Sequence, residues 1–234
     1  MATIPTPVQE RLAEVRARMA KACASSARPV DAVRLLAVSK TFPAAAVREA
    51  AAAGQTDFGE NYVQEAVEKM ASLQDLPDLC WHFIGPIQSN KTRPIAENFT
   101  WVHCIDRDRV ARRLSEQRPA GMPPLQACIE VNLSGEASKS GVAPGEVAAL
   151  ALVVASLPGL RLRGLMAIPE PTDDMAQQRM RFATLRGLLE ALQKDGLKVD
   201  TLSMGMSAGM EAAIAEGATM VRIGTAIFGE RKRS

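Results

Sequence analysis

Apolar, β-branched runs recur from one end of this chain to the other, and a stretch of helical period separates each from the next. That alternation constrains the fold more than any other feature. The strand-like runs fall near 33–39, 56–59, 80–85, 100–105, 125–132, 160–168, 200–204 and 219–223, with helical stretches at 43–53, 61–74, 88–97, 107–118, 144–157, 173–195 and 208–217. Strands separated by helices pair in parallel through right-handed crossovers. Eight such units in 234 residues predict an α/β fold closed as a (β/α)8 barrel. The competing doubly wound open sheet lacks a G-x-G-x-x-G after its first strand. Only about ten residues follow the eighth strand, too few for a full closing helix. An amphipathic helix at 7–24 precedes the first strand and is expected to cover the gap. No linker, repeat or low-complexity segment divides the chain, so residues 1–234 read as one domain.

Boundary residues support this parsing. Pro43 suits the first turn of the first inter-strand helix and Gly54 its C-terminal cap. Asp106 is placed to cap the helix that begins near 107, and Pro144 opens a helix closed by Pro158-Gly159. Hydrophobic content of 47% supports a sizeable core. A net charge of +2 without blocks of like charge gives no sign of nucleic-acid or acidic-membrane binding, and the terminal "ERKRS" reads as solvated. The N-terminus lacks the apolar stretch of a signal peptide, and no run is long enough for a membrane span, so a cytoplasmic location is expected. Cys23, Cys80, Cys104 and Cys128 contain no C-x-x-C pair and read as thiols, the last three buried in strands. His82 and His103 also fall in strand-like runs, and no metal cluster is expected.

A barrel gathers its functional groups at the C-terminal ends of its strands. Lys40 ends the first strand in "LLAVSKTFP", where it either points to solvent or sits partly desolvated as an amine able to attack a carbonyl. Glu60 and Asn61 end the second strand, and Gly85-Pro86 turns the chain after the third. Asn132 follows the fifth strand, and Met166 and Ile168 the sixth. After the seventh, Ser203, Gly205 and Ser207 alternate with Met204 and Met206 ahead of a helix carrying Met210 and Glu211. The methionines read as core or pocket lining. After the eighth come Gly224 and Thr225. Small residues and a helix start favour an anion there, which is where this fold commonly holds phosphate. Arg222 lies within the last strand, and its flanking Val221 and Ile223 leave its direction open. The loop 133–143, "LSGEASKSGVA", lacks P-loop spacing and reads as mobile, with Lys139 reaching toward the site.

A lysine on strand one facing a phosphate cradle after strands seven and eight is the layout that pyridoxal 5'-phosphate requires. The ordered motifs "AVSKT", "FGENYVQE", "WHFIGPIQSNK", "VNLSGEASKSG", "RGLMAIP", "LSMGMS" and "VRIGTAIFG" closely resemble the YggS/PROSC family of pyridoxal-phosphate homeostasis proteins, single-domain relatives of the alanine racemase barrel. The resemblance covers essentially the whole chain after the first helix. It implies that Lys40 carries the cofactor as a Schiff base, and that Ser207, Gly224 and Thr225 hold its phosphate with Met204 and Gly205 nearby. It further implies that Arg222 meets the pyridine nitrogen and that Asn61 lies near the ring. A role for His82 does not follow. Gly209 stands where the family usually has an aspartate. The family implies a monomer that stores, delivers or buffers pyridoxal phosphate for dependent apoenzymes, without robust catalysis and so without catalytic residues. An arginine against the ring nitrogen weakens the electron sink, and a racemase needs a second base, for which Tyr62 is the nearby candidate. A cofactor-dependent racemase or decarboxylase, and a cofactor-free Schiff-base aldolase, are the alternative readings.

Overall fold

The computed structural model describes residues 5–134 and 140–230. Lys139 and the rest of 135–139 in the long loop, and the tail from 231, lie outside them. Eight parallel strands close into a barrel in chain order: β1 (Arg34–Val38), β2 (Asp57–Glu60), β3 (Cys80–Phe83), β4 (Trp101–Ile105), β5 (Leu125–Glu130), β6 (Leu160–Met166), β7 (Thr201–Ser203) and β8 (Met220–Ile223). β1 pairs with β8 over Arg34↔Met220 to Ala37↔Ile223, which closes the ring. Around it run α1 (Pro7–Ser25), α2 (Ala44–Ala52), α3 (Val63–Ala71), α4 (Thr92–Asn98), α5 (Asp108–Gln117), α6 (Val147–Ser156), α7 (Met175–Lys194), α8 (Met210–Ala215) and α9 (Thr225–Phe228).

The main core lies between strands and helices, where Leu35, Ala37, Phe58, Ile129 and Leu165 meet helical residues such as Val47, Leu114 and Leu185. Successive side chains of a strand point to opposite faces. Leu36 accordingly leaves that core and joins Ile84 and Met220 in a small cluster within the barrel. The other interior side chains are unusually polar for this fold: His82, His103 and Ser203 are fully buried, and Arg222 is 4% exposed.

α1 fills the place the short α9 leaves. Its start carries a capping box, with the Gln9 amide N–H donated to Thr6 Oγ1 and the Gln9 side chain accepting from the Thr6 N–H. Val8, Leu12, Val15 and Met19 bury one face against α2, α8 and α9. Its arginines then cap the carbonyl ends of those helices. Arg16 donates to Ala53 O at 2.7 Å and Gly54 O at 3.0 Å, Arg11 to Ile227 O at 2.8 Å, and Arg28, just past the helix, to Ile214 O at 2.7 Å. Last-turn carbonyls lack intrahelical donors and form the negative end of the helix dipole, so guanidinium groups are well matched to them.

Some boundaries differ from the sequence reading. Asp106 does not cap α5: the N-cap is Arg107 without a side-chain bond, and both Asp106 carboxylate oxygens instead accept from Arg107 Nη1. Pro43 is the N-cap of α2 rather than a first-turn residue. β5 ends at Glu130, beyond which Val131 makes a single bridge to Val142. α3 begins only at Val63, leaving Asn61 in the turn after β2. Cys80 is partly exposed, whereas Cys23, Cys104 and Cys128 are buried free thiols. Among the described residues no helix is long and apolar enough to cross a membrane.

Leu12 is fully buried where α1 joins the ring, while Glu14 on the same helix is exposed. Leu12→Ala is expected to destabilise the protein by about 2–5 kcal/mol in urea titration, and Glu14→Ala by no more than about 0.5 kcal/mol. Equal, small losses would mean that α1 is not part of the packed ring.

Candidate functional site

Lys40 sits at the apex of a tight turn that several neighbours hold. The Ser39 amide continues the sheet to Gly59 O at 3.0 Å, and its hydroxyl donates to Glu60 Oε1 at 2.6 Å. Lys69, 5% exposed on α3, donates to the same Glu60 oxygen at 2.6 Å, to Ser39 O at 2.9 Å and to Glu65 Oε1 at 3.0 Å. Thr41 adopts φ +68°, and its N–H is held by Glu65 Oε1 at 2.6 Å. A β-branched residue in that region costs on the order of 1–3 kcal/mol and persists only where surrounding contacts impose it. Burial pushes the Glu60 carboxyl up, and the Lys69 ammonium opposes that rise. The Glu65–Lys69 spacing was visible in the sequence; its function of fixing the lysine turn was not.

Across the barrel mouth, β7 and β8 deliver the polar groups. Gly205 has φ +91°, and a Cβ there would lie 2.5 Å from the Ala213 Cβ, so a glycine lets α8 pack against the turn after β7. Gly209, the N-cap of α8, makes no side-chain capping bond. Arg222 points inward. It donates to Ser203 O at 2.6 Å, Ser203 Oγ at 2.8 Å and Ala167 O at 2.9 Å, and burial lowers its pKa. Three of its five N–H bonds are thereby committed to the barrel wall.

These elements enclose a cavity of about 260 Å³ bordered by Lys40, Asn61, Ser207, Arg222, Gly224 and Thr225. Of the eight residues singled out from sequence, those six converge. Met204 is fully buried in the core, and Gly205 borders an adjoining cavity together with Arg222. Val38, Phe42, Ile84, Ile168 and Met206 supply apolar walls. Ile168 and Met206 are 45% and 42% exposed, which leaves apolar surface at the mouth for a ligand to cover. Ser207 and Ala208 precede α8, and Thr225 opens α9. First-turn amides have no acceptor within their own helix, so this corner is rich in donors. The Asn61 Oδ1 is buried without a hydrogen-bond partner. Tyr62 is 54% exposed and does not border the cavity.

Glu130, the last residue of β5, borders a neighbouring cavity that shares Asn61, Ile84 and Ile168 with the first. Burial pushes its carboxyl up to about 7, Asp106 adds to the rise, and Arg222 and the Cys104 thiol oppose it. The folded protein thus keeps a proton that the unfolded chain has released between the ordinary carboxylate range and about pH 7. This group's contribution to stability therefore falls as pH rises through that window, by at most about 3 kcal/mol. Glu130→Gln is expected to be more stable than wild type in urea titration near ~pH 8 and to lose the advantage near ~pH 5. The same difference at both pH values would refute this.

The family model described as "Alanine racemase, N-terminal domain" matches residues 11–232. The pyridoxal phosphate homeostasis protein of Pseudomonas aeruginosa is 65% identical over 224 residues, covering 96% of this chain and 96% of that protein. That of Escherichia coli (strain K12) is 53% identical, covering 97% and 98%. The solved structure of PipY from Synechococcus elongatus PCC7942 with PLP bound is 41% identical, with a TM-score of 0.85 over 95% of this chain and 100% of PipY. The chain belongs to the pyridoxal phosphate homeostasis protein family, on the barrel of the alanine racemase N-terminal domain.

Proposed function

We propose that this chain binds pyridoxal 5'-phosphate in the Lys40 cavity and serves its homeostasis by storing, delivering or buffering it. The observation that carries this reading is the convergence of a lysine, a buried guanidinium and two hydroxyls on one cavity. The residues suit the group. The Ser207 and Thr225 hydroxyls with the adjoining helix starts supply donors for a phosphate. The unpartnered Asn61 Oδ1 is an acceptor for a ring hydroxyl. The Arg222 guanidinium borders the same space and serves as a donor to a ring nitrogen. When bound, the cofactor supplies an aldehyde for the Lys40 amine and, in enzymes, a ring that withdraws electrons from the substrate.

The chain's own residues favour holding the cofactor over catalysing with it. Arg222 only donates hydrogen bonds, so a ring nitrogen facing it is kept unprotonated. Among the described residues that border the cavity, Lys40 and Arg222 are the ionisable ones, and no second base is among them. In this reading the protein is a single-domain monomer in the cytoplasm that passes pyridoxal phosphate to dependent apoenzymes.

Borohydride reduction of the protein loaded with pyridoxal phosphate, followed by peptide mass spectrometry, is expected to place the label on Lys40. A label elsewhere, or none, would end this reading. The same loaded protein should racemise and decarboxylate common amino acids far more slowly than the ~10 s⁻¹ typical of enzymes. Turnover at that rate would instead establish an enzyme.

A further inference from the structure

One set of buried polar groups is left unused by the binding of a cofactor: the side chains inside the barrel. They form a continuous chain of hydrogen bonds. Arg222 donates to Ser203 Oγ at 2.8 Å, and Ser203 Oγ lies 2.8 Å from His103 Nδ1. His103 Nε2 lies 3.0 Å from His82 Nδ1, and His82 Nε2 lies 3.0 Å from Asp57 Oδ1. Asp57 opens β2 at the opposite end of the barrel from the cavity, where the half-exposed Arg34 reaches it at 3.3 Å. The links thus run from the barrel floor to the cavity through β2, β3, β4, β7 and β8.

The two ends fix the direction of every link between them. A guanidinium donates only, so Ser203 Oγ accepts from Arg222. Hydrogen bonding from His82 and the nearby Arg34 charge hold the Asp57 carboxyl below its usual range against the effect of burial, and a carboxylate accepts only. His82 therefore carries its proton on Nε2. Burial lowers the pKa of both imidazoles; at His82 the Asp57 carboxylate opposes the shift and the Arg34 charge adds to it, and at His103 His82 and Arg222 add to it. Neutral His82 then presents Nδ1 as an acceptor, His103 donates from Nε2, and His103 Nδ1 accepts the Ser203 hydroxyl proton. All four bonds then point from cavity to floor, and at the floor His82 Nε2 also lies 3.4 Å from Cys80 Sγ. Trp101 stacks on His82 at 5.4 Å and 11°, holding that ring in plane. Aligned bonds polarise one another in a low-dielectric interior.

We propose that Ser203, His103, His82 and Asp57 are positioning residues for Arg222, and that their relay fixes the guanidinium at the cavity and couples it to the charge at the barrel floor. The statement about Arg222 and the cofactor rests on the proposed function; the relay itself does not. Two measurements separate them. In the cofactor-free protein at neutral pH, ¹⁵N NMR of the imidazole nitrogens is expected to show His82 and His103 both neutral and both protonated at Nε2. Asp57→Asn keeps the shape of the floor and removes its charge, and it should shift the ring nitrogens of His103, which Asp57 does not touch. An Nδ1–H tautomer, a charged imidazole or an unmoved His103 signal would overturn the relay.

Equilibrium dialysis then tests the coupling to the site. His103→Phe removes both links and is expected to weaken pyridoxal phosphate binding by roughly tenfold, whereas His103→Gln, which retains an acceptor beside a donor, should stay within about threefold of wild type. Equal affinity in the two variants would remove the positioning role. Wild type that binds no pyridoxal phosphate would overturn the proposed function while leaving the NMR result standing.

Discussion

Closure of the barrel by β1 on β8 is the constraint on which the site depends. Pairing Leu36 with Arg222 and Ala37 with Ile223 places the ends of the first and last strands side by side. Lys40, two residues past β1, and Gly224-Thr225, directly past β8, therefore border one cavity although more than 180 residues separate them in the chain. An open sheet of the same strands would leave those ends on opposite edges. α1 supports the closure from outside, because its arginines and apolar face tie α2, α8 and α9 together across the β1–β8 seam.

Two buried polar systems give the site its rigidity, and each carries a desolvation cost. On the β1–β2 side, the Lys69–Glu60 pair is enclosed at 2.6 Å and holds the turn around Lys40. Losing one partner of such a pair leaves a buried charge, which is far costlier than losing both. On the β7–β8 side, Arg222 is enclosed among carbonyls and Ser203, and its bonds to Ser203 and Ala167 involve no carboxylate. A barrel interior is ordinarily filled by branched apolar side chains. Here two imidazoles and a hydroxyl replace them, and the interior tolerates this because each donor finds an acceptor.

The fold was legible because strands buried on both faces of a parallel sheet read as apolar runs, as β1 and β4 do here, and helical stretches separate all eight strands. The same property hid the direction of Arg222: with Val221 and Ile223 both buried, no alternation distinguishes inside from outside. Lys40, Ser207, Gly224 and Thr225 were legible because each lies within four residues of a strand end. The hydrogen-bond relay was not, since Asp57, His82, His103 and Ser203 lie on four strands and share no local spacing; only the closed barrel brings them together. The Lys69 clamp was hidden for a similar reason, since an i,i+4 Glu–Lys pair usually marks an exposed helix face. The Asp106 cap failed where a neighbouring arginine took the carboxylate.

The central claim is that the corner formed by the turns after β7 and β8 holds the phosphate of pyridoxal phosphate. Equilibrium dialysis of wild type against a Ser207→Ala/Thr225→Val double variant tests it most directly. Each hydroxyl bonded to a charged oxygen contributes on the order of 1.5–3 kcal/mol, so losing both should lower affinity by at least about a hundredfold while the urea midpoint stays close to wild type. Unchanged affinity in a folded double variant would contradict the account and move the phosphate elsewhere.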